Sequence, residues 1–310
     1  METISVRKRF VWIDWMKVIG ITLVVFGHFH TSWAKYVYVF HVPLFFLISG
    51  MLSKVETDNK VFWKKIWFNL IVPILIICNI KFLISSFLNY RGISRLVNDI
   101  VGLNYELFIG NIDCVLGTCW FVYTLIIMKI LYQYTAKISL FLSVIFLGGA
   151  FVLQESEIVR DFDNSWFNVL LTYVFFSAGA LLHKYTEVLH VKSFSYVDVA
   201  ITLVCFISIL LLGNYNGSID ISSFIYGNNM FAFVLGGFLG TIFIYEVSKL
   251  LMAFDTSWLR TISIGTIVIL GFHGMAVSYL ANRIVGGAKC DGYPLVFNNG
   301  CMFRTCNLYC

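Results

Sequence analysis

Apolar runs alternate with short polar breaks along nearly the whole chain. The runs fall at about residues 11–29, 38–52, 66–88, 120–134, 138–153, 166–182, 196–212, 224–247 and 261–280. Most approach the ~20 residues that an α-helix needs to cross a hydrocarbon core of ~30 Å, and none shows the strict alternation of a half-buried strand. The pattern predicts an all-α fold, a polytopic transmembrane helix bundle with nine readable spans. Pro43 falls in the first turn of the second run, and Pro73 is expected to kink the third. Residues 89–118 form the longest polar connection, with 103–112 placed to dip into the interface. No internal repeat is visible, which gives an inverted-repeat transporter no support from self-similarity.

Composition agrees with this reading. The chain is 59% hydrophobic and 13% charged, against about 25% charged in a soluble domain. The net charge of +5 does not point to nucleic acid, because the basic residues lie between apolar runs rather than in one patch. They read instead as topology signals. Arg7, Lys8 and Arg9 before the first run, Lys17, the basic loop of Lys54, Lys60, Lys64 and Lys65, and Lys129, Lys137, Lys184, Lys192, Lys249 and Arg260, the last two flanking an inner loop, put fourteen cations on the inner side against seven on the outer. The expected location is the bacterial cytoplasmic (inner) membrane, multi-pass, with a cytoplasmic N-terminus. The first run is too long for most signal-peptide cores and is expected to stay as a span. Lys81, inside the third run, is expected to snorkel to the outer interface.

Ionisable residues inside such runs are expensive and therefore functional candidates. His28 lies eleven residues after Lys17, or about 16 Å along a helix. Burial favours its neutral form, which suits a general base; a helix-packing histidine is the alternative. His30 points to another face. His41 opens the second run and His273 sits between glycines in GFHGM, each readable as interfacial or functional. Asp14 and Lys17 share a helix face at i, i+3, as an interfacial ion pair would. Lys64 and Lys65 suit either a phosphate-bearing cofactor or anionic headgroups, and Trp120 is most simply an aromatic-belt residue. No HExxH, GxSxG, paired CxxC or P-loop occurs, so no metal is expected.

With these residues in view, the chain resembles the acyltransferase-3 family of integral membrane acyltransferases. The resemblance rests on Lys17 and His28 preceded by Asp14 in WIDWMKVIGI, and on FHVPLFFLISG from Phe40. Lys64 and Lys65 before Pro73, CWFVYTL from Cys119, FFSAGALLHKY from Phe175 and SIGTIVILGFH ending at His273 follow in family order. It implies transfer of an acyl group, usually acetyl, from cytoplasmic acyl-CoA to a hydroxyl of a cell-surface polysaccharide or its lipid-linked precursor. The partners are then acyl-CoA, the glycan acceptor and membrane lipid, with no tightly bound cofactor. His28 becomes the essential base or acyl carrier, with Lys17, Asp14 and His41 beside it; Lys64, Lys65, Trp120 and His273 become candidates for holding the donor. The competing readings are a transporter or flippase with a histidine proton relay and an inactive truncated acyltransferase.

The family resembles a ten-span bundle, whereas the chain after Leu280 is polar and carries Cys290, Cys301, Cys306 and Cys310. Residues 1–285 are expected to form the membrane acyltransferase domain. Residues 286–310 are expected to be an aberrant cysteine-rich tail, foreign to the fold and standing where the tenth span is missing.

Overall fold

The computed structural model describes residues 9–29, 32–88, 101, 104, 120–154, 168–186, 189, 195–221 and 224–284. His30, Cys119 and the tail from 286 lie outside them. Each of the nine apolar runs contains a helix. The chain is a multi-pass membrane protein built as an all-α bundle.

Helix α1, Val11–Gly27, is followed by a broken element, α2 Ala34–Tyr38 and α3 His41–Met51. Pro43 has no N–H to give the Val39 carbonyl, and the chain breaks at Val39 and Phe40, just inside the expected start of this span at residue 38, so that α2 covers the turn before it. Helix α4, Asn59–Ile66, runs through a π turn at Trp67–Ile71 into α5, Val72–Leu88. Lys60, Lys64 and Lys65 therefore stand on a helix rather than in the expected basic loop. The π turn ends two residues before Pro73, so the irregularity and the proline share one site.

Helices α6, Trp120–Thr135, and α7, Ser139–Gln154, are joined by a short turn at Ala136–Ile138. The contacts show a hairpin: Tyr132 packs on Phe176, while Ser139, further along, reaches back to Tyr173. Helix α8, Asn168–Leu182, precedes α9, Tyr196–Asn216, a two-stranded antiparallel hairpin of β1 Ile219–Asp220 and β2 Ile225–Tyr226, and α10, Met230–Leu250. The last expected span is bent: α11, Ser257–Ile264, and α12, Thr266–Ile284, meet at 76° across Gly265.

The tightest crossing in the bundle is that of α3 and α8. A β-carbon on Gly50 would meet the Phe176 carbonyl, and one on Gly179 the Leu47 carbonyl, so glycine on both helices lets the two backbones touch. Fully buried Trp12, Met16, Leu44, Phe46, Phe175, Phe176 and Phe233 fill the space around this crossing. On α9, Val197, Leu203, Val204, Ile207 and Leu211 are exposed, as a lipid-facing helix surface requires.

Phe121 packs on Phe46 and Lys129 on Ser53, so α6 runs alongside α3 in the same direction. The bundle accordingly has two ends. One holds His28, His41 and the start of α6; the other holds Asp14, Ser53, Lys65 and the end of α6. They are called here the histidine end and the lysine end.

Candidate active site

Three histidines reach the histidine end from three elements. His28 is the C-cap of α1 and half-buried, rather than deep within a helix as its place in an apolar run suggests. Gly27 closes the last turn against Tyr38, whose hydroxyl donates to the Gly27 carbonyl at 2.9 Å. His41 starts α3 and His273 lies in α12, both buried. The His28 and His273 rings meet edge to face with centroids 4.4 Å apart, and Tyr38 packs beside His28 and His41 at 6.2 and 5.1 Å.

Each imidazole is fixed the same way. Nδ1 of His28 is 2.8 Å from the Val24 carbonyl, that of His41 3.1 Å from Val37, and that of His273 2.7 Å from Leu270. A carbonyl oxygen only accepts, so in each neutral ring Nδ1 carries the proton and Nε2 keeps the lone pair. Nε2 of His273 is buried with no hydrogen-bond partner among the described residues. A set of basic nitrogens with their tautomers fixed can take a proton from a hydroxyl.

The other residues expected in the site lie elsewhere. Asp14, fourteen residues before His28 and about 21 Å along α1, accepts from Arg9 at 2.6 Å and from Ser263 at 2.5 Å. Arg9 also reaches Asp255 at 2.9 Å, and Trp15 packs on Trp258 at 5.5 Å, so α1 and α11 are fastened together at the lysine end. The hydrogen-bonded Asp14 carboxylate raises the Arg9 pKa above its usual value. Lys17, half-buried, lies one turn further along α1.

A cavity of about 160 Å³ opens between α3, α4 and α6 at the lysine end, lined by Ser53, Lys54, Glu56, Lys65, Lys129 and Tyr132 among others. Lys65 pairs with Glu56 at 2.6 Å, and Lys129 donates to Ser53 at 2.8 Å. Gln133 holds the Glu56 backbone through two hydrogen bonds, at 3.0 and 2.8 Å. Three lysines and one glutamate line it, and its volume is that of a phosphate-sized group rather than of a whole drug-sized ligand of ~300–1,000 Å³. Lys64 is exposed and does not line the cavity: successive helical residues point about 100° apart, so Lys64 and Lys65 cannot both face it.

Trp120 stands at the histidine end of α6 against Phe121, nine residues or about 14 Å from Lys129. The structure therefore divides the residues expected to hold the donor: Lys65 lines the cavity, Lys64 faces outward, and Trp120 and His273 belong to the far end. Sequence reading missed Ser53, Glu56 and Tyr132, and counted Lys54 and Lys129 only as topology signals. The signal was present for Lys129, a cation inside the apolar run YTLIIMKILYQY.

Lys249 flanks the connection after α10, as expected, and is buried in the last turn of that helix, 2.9 Å from both Asp198 and Glu246. Ser195 and Asp198 form a capping box at the start of α9, so the ion triad joins the two helices there. Lys81 does not snorkel. It is buried inside α5.

Fastened helices, a cluster of imidazoles with fixed tautomers and a lysine-lined cavity some distance away thus share one membrane-embedded bundle. Residues 10–288 match the acyltransferase-3 family, described as an acyltransferase domain, and the chain belongs to that family. Comparison with curated proteins and with solved structures yields no match.

Proposed function

We propose that the protein is a membrane-bound O-acyltransferase of the bacterial cytoplasmic membrane. It moves an acyl group, acetyl in the simplest case, from cytoplasmic acyl-CoA to a hydroxyl of a cell-surface polysaccharide or its lipid-linked precursor. The observation that carries the reading is the state of His28: its Nδ1 donates to the Val24 carbonyl at 2.8 Å, which directs the Nε2 lone pair to the reaction. Nε2 acts as the base that removes the hydroxyl proton, or itself carries the acyl group between donor and acceptor.

The cavity of Lys54, Lys65 and Lys129 holds the phosphates of acyl-CoA, with the lysine end and the N-terminus facing the cytoplasm. The pantetheine arm is the part of the donor long enough to carry a thioester from this cavity toward the histidines. Lys17 stands on α1 between the two, half-buried. Asp14 holds the position of α1 against α11 through Ser263.

The test compares the surface glycan by NMR in a strain lacking the gene, complemented with wild type or with His28→Ala. Wild type restores O-acyl signals and His28→Ala does not, a loss of at least the ~10²–10⁴ that a general base contributes. Equal O-acylation in all three strains rejects the proposal.

A further inference from the structure

Lys81 is a charge with no counter-charge among the described residues. It lies in the apolar run ILIICNIKFLI, is 7% exposed, and has no hydrogen-bond or ion-pair partner among the described residues. Other buried cations in this protein are treated differently: Lys249, at 4% exposure, has two carboxylates at 2.9 Å. An unpaired ammonium in a membrane interior costs free energy and persists where it serves a site.

Its place in the fold identifies that site. Ile77, one turn before Lys81 on α5, packs against Gly271 of α12, two residues before His273. Lys81 therefore rises beside His273, near enough for its charge to act on that imidazole. His273 is in turn edge-on to His28 with centroids 4.4 Å apart. Among the described residues the carboxylate that acts on His41 and Tyr38 at this end is Asp220, and Lys81 makes no ion pair with it.

We infer that Lys81 stabilises the oxyanion formed at the acyl carbonyl, making it a second catalytic residue of the His28 site. The inference rests on the acyltransferase reading. When His28 removes the hydroxyl proton, the O–H bond breaks, the new O–C bond forms and the carbonyl π pair moves onto oxygen, where the ammonium faces it. On collapse that pair re-forms the carbonyl, the C–S bond breaks, and the thiolate takes the proton from His28. Lys81 keeps its own protons throughout. The same oxyanion forms if Nε2 of His28 attacks first, so the role does not depend on which route operates. A charge that meets its partner only at the tetrahedral stage lowers the barrier without tightening ground-state binding.

The experiment uses the full chain in membranes, [¹⁴C]acetyl-CoA as donor and, as acceptor, glycan purified from the strain lacking the gene. Wild type, Lys81→Met, Lys81→Arg and His28→Ala are compared, with the amount and melting point of each variant measured alongside. Lys81→Met removes the buried charge and keeps the chain length, so it folds at least as well as wild type. It lowers kcat about 10²–10³-fold, the loss seen for one oxyanion donor, with both KM values within about twofold. Lys81→Arg, which restores a cation, recovers about tenfold of that loss.

A Lys81→Met enzyme within about threefold of wild-type kcat overturns the inference. So does a loss confined to the acceptor's KM, which assigns Lys81 to an anionic group of the glycan instead. A wild type that transfers no acetyl rejects the acyltransferase reading and this inference together. An active wild type with an unaffected Lys81→Met rejects the inference alone.

Discussion

At the lysine end Lys65 meets Glu56, Lys129 meets Ser53, and Lys249 lies between Asp198 and Glu246. At the histidine end His28, His41 and His273 each give one ring nitrogen to a backbone carbonyl, and Lys81 stands beside them with no counter-ion among the described residues. Both ends put ionisable groups inside a bundle that lipid surrounds, where each such group is costly. The first end offsets the cost with partners already in place, which suits anchoring helices and holding a charged donor. The second turns one nitrogen of each ring to a backbone carbonyl and sets a cation beside them, which suits charge that develops in a reaction. Paired groups favour ground-state binding, and groups waiting for charge favour the transition state.

The comparison depends on both ends belonging to one rigid frame, and the α3–α8 crossing is where that frame is most easily broken. Replacing Gly179 with Val forces a branched side chain into the Leu47 carbonyl, a backbone atom that has no rotamer to escape through. The expected cost is at or above the top of the ~1–3 kcal/mol range for overpacking, and activity and donor binding fall together. Thermal unfolding in detergent checks this; a melting point equal to wild type shows that the two helices have room to part.

How much of this was legible in the sequence follows from the same physics. Hydropathy located nine of the twelve described helices, because an apolar run of the right length has few other fates in a membrane protein, and missed the short α2, α4 and α11. His28, His41 and His273 stood out because histidine is rare in such runs. What hydropathy does not carry is depth and facing. It let Lys81 reach an interface and gave no sign that Lys249, at a span end, is enclosed, yet both are buried. It treated Lys64 and Lys65 as one grip although helical geometry points them apart. It also read residues 261–280 as one span, when Gly265 turns the chain through 76° and puts Ser263 against Asp14. Contacts across 249 residues of sequence leave no local trace.

A smaller effect tests whether the lysine end binds the donor rather than takes part in the chemistry. Lys129→Met removes the cation that donates to Ser53 and faces the Phe176 ring, while the methionine side chain still fills the gap between α3 and α6. The expected result is a KM for acyl-CoA raised about tenfold, equivalent to one lost charge-assisted hydrogen bond of ~1.5 kcal/mol, with kcat nearly unchanged. Steady-state kinetics in membranes separates the two constants. A fall in kcat at unchanged KM moves Lys129 out of the binding role and erases the contrast between the ends.

The smallest expected effect is at Lys64, and it sharpens the contrast by showing that position on the helix matters rather than basic charge alone. Lys64 and Lys65 are adjacent and carry the same charge, so any role in orienting the chain in the membrane falls on both. They differ in direction rather than exposure: Lys65, itself half in water, lines the cavity and pairs with Glu56, whereas Lys64 lines no part of it. Lys64→Ala is expected to leave the KM for acyl-CoA within about twofold of wild type, since an exposed charge facing water is weakly coupled to the cavity. Lys65→Ala raises the same KM several-fold, because it removes a cavity cation and leaves Glu56 facing the donor's phosphates. Equal increases from the two substitutions mean that the lysines act as a diffuse basic field, and the cavity between α3, α4 and α6 is then not the donor's seat.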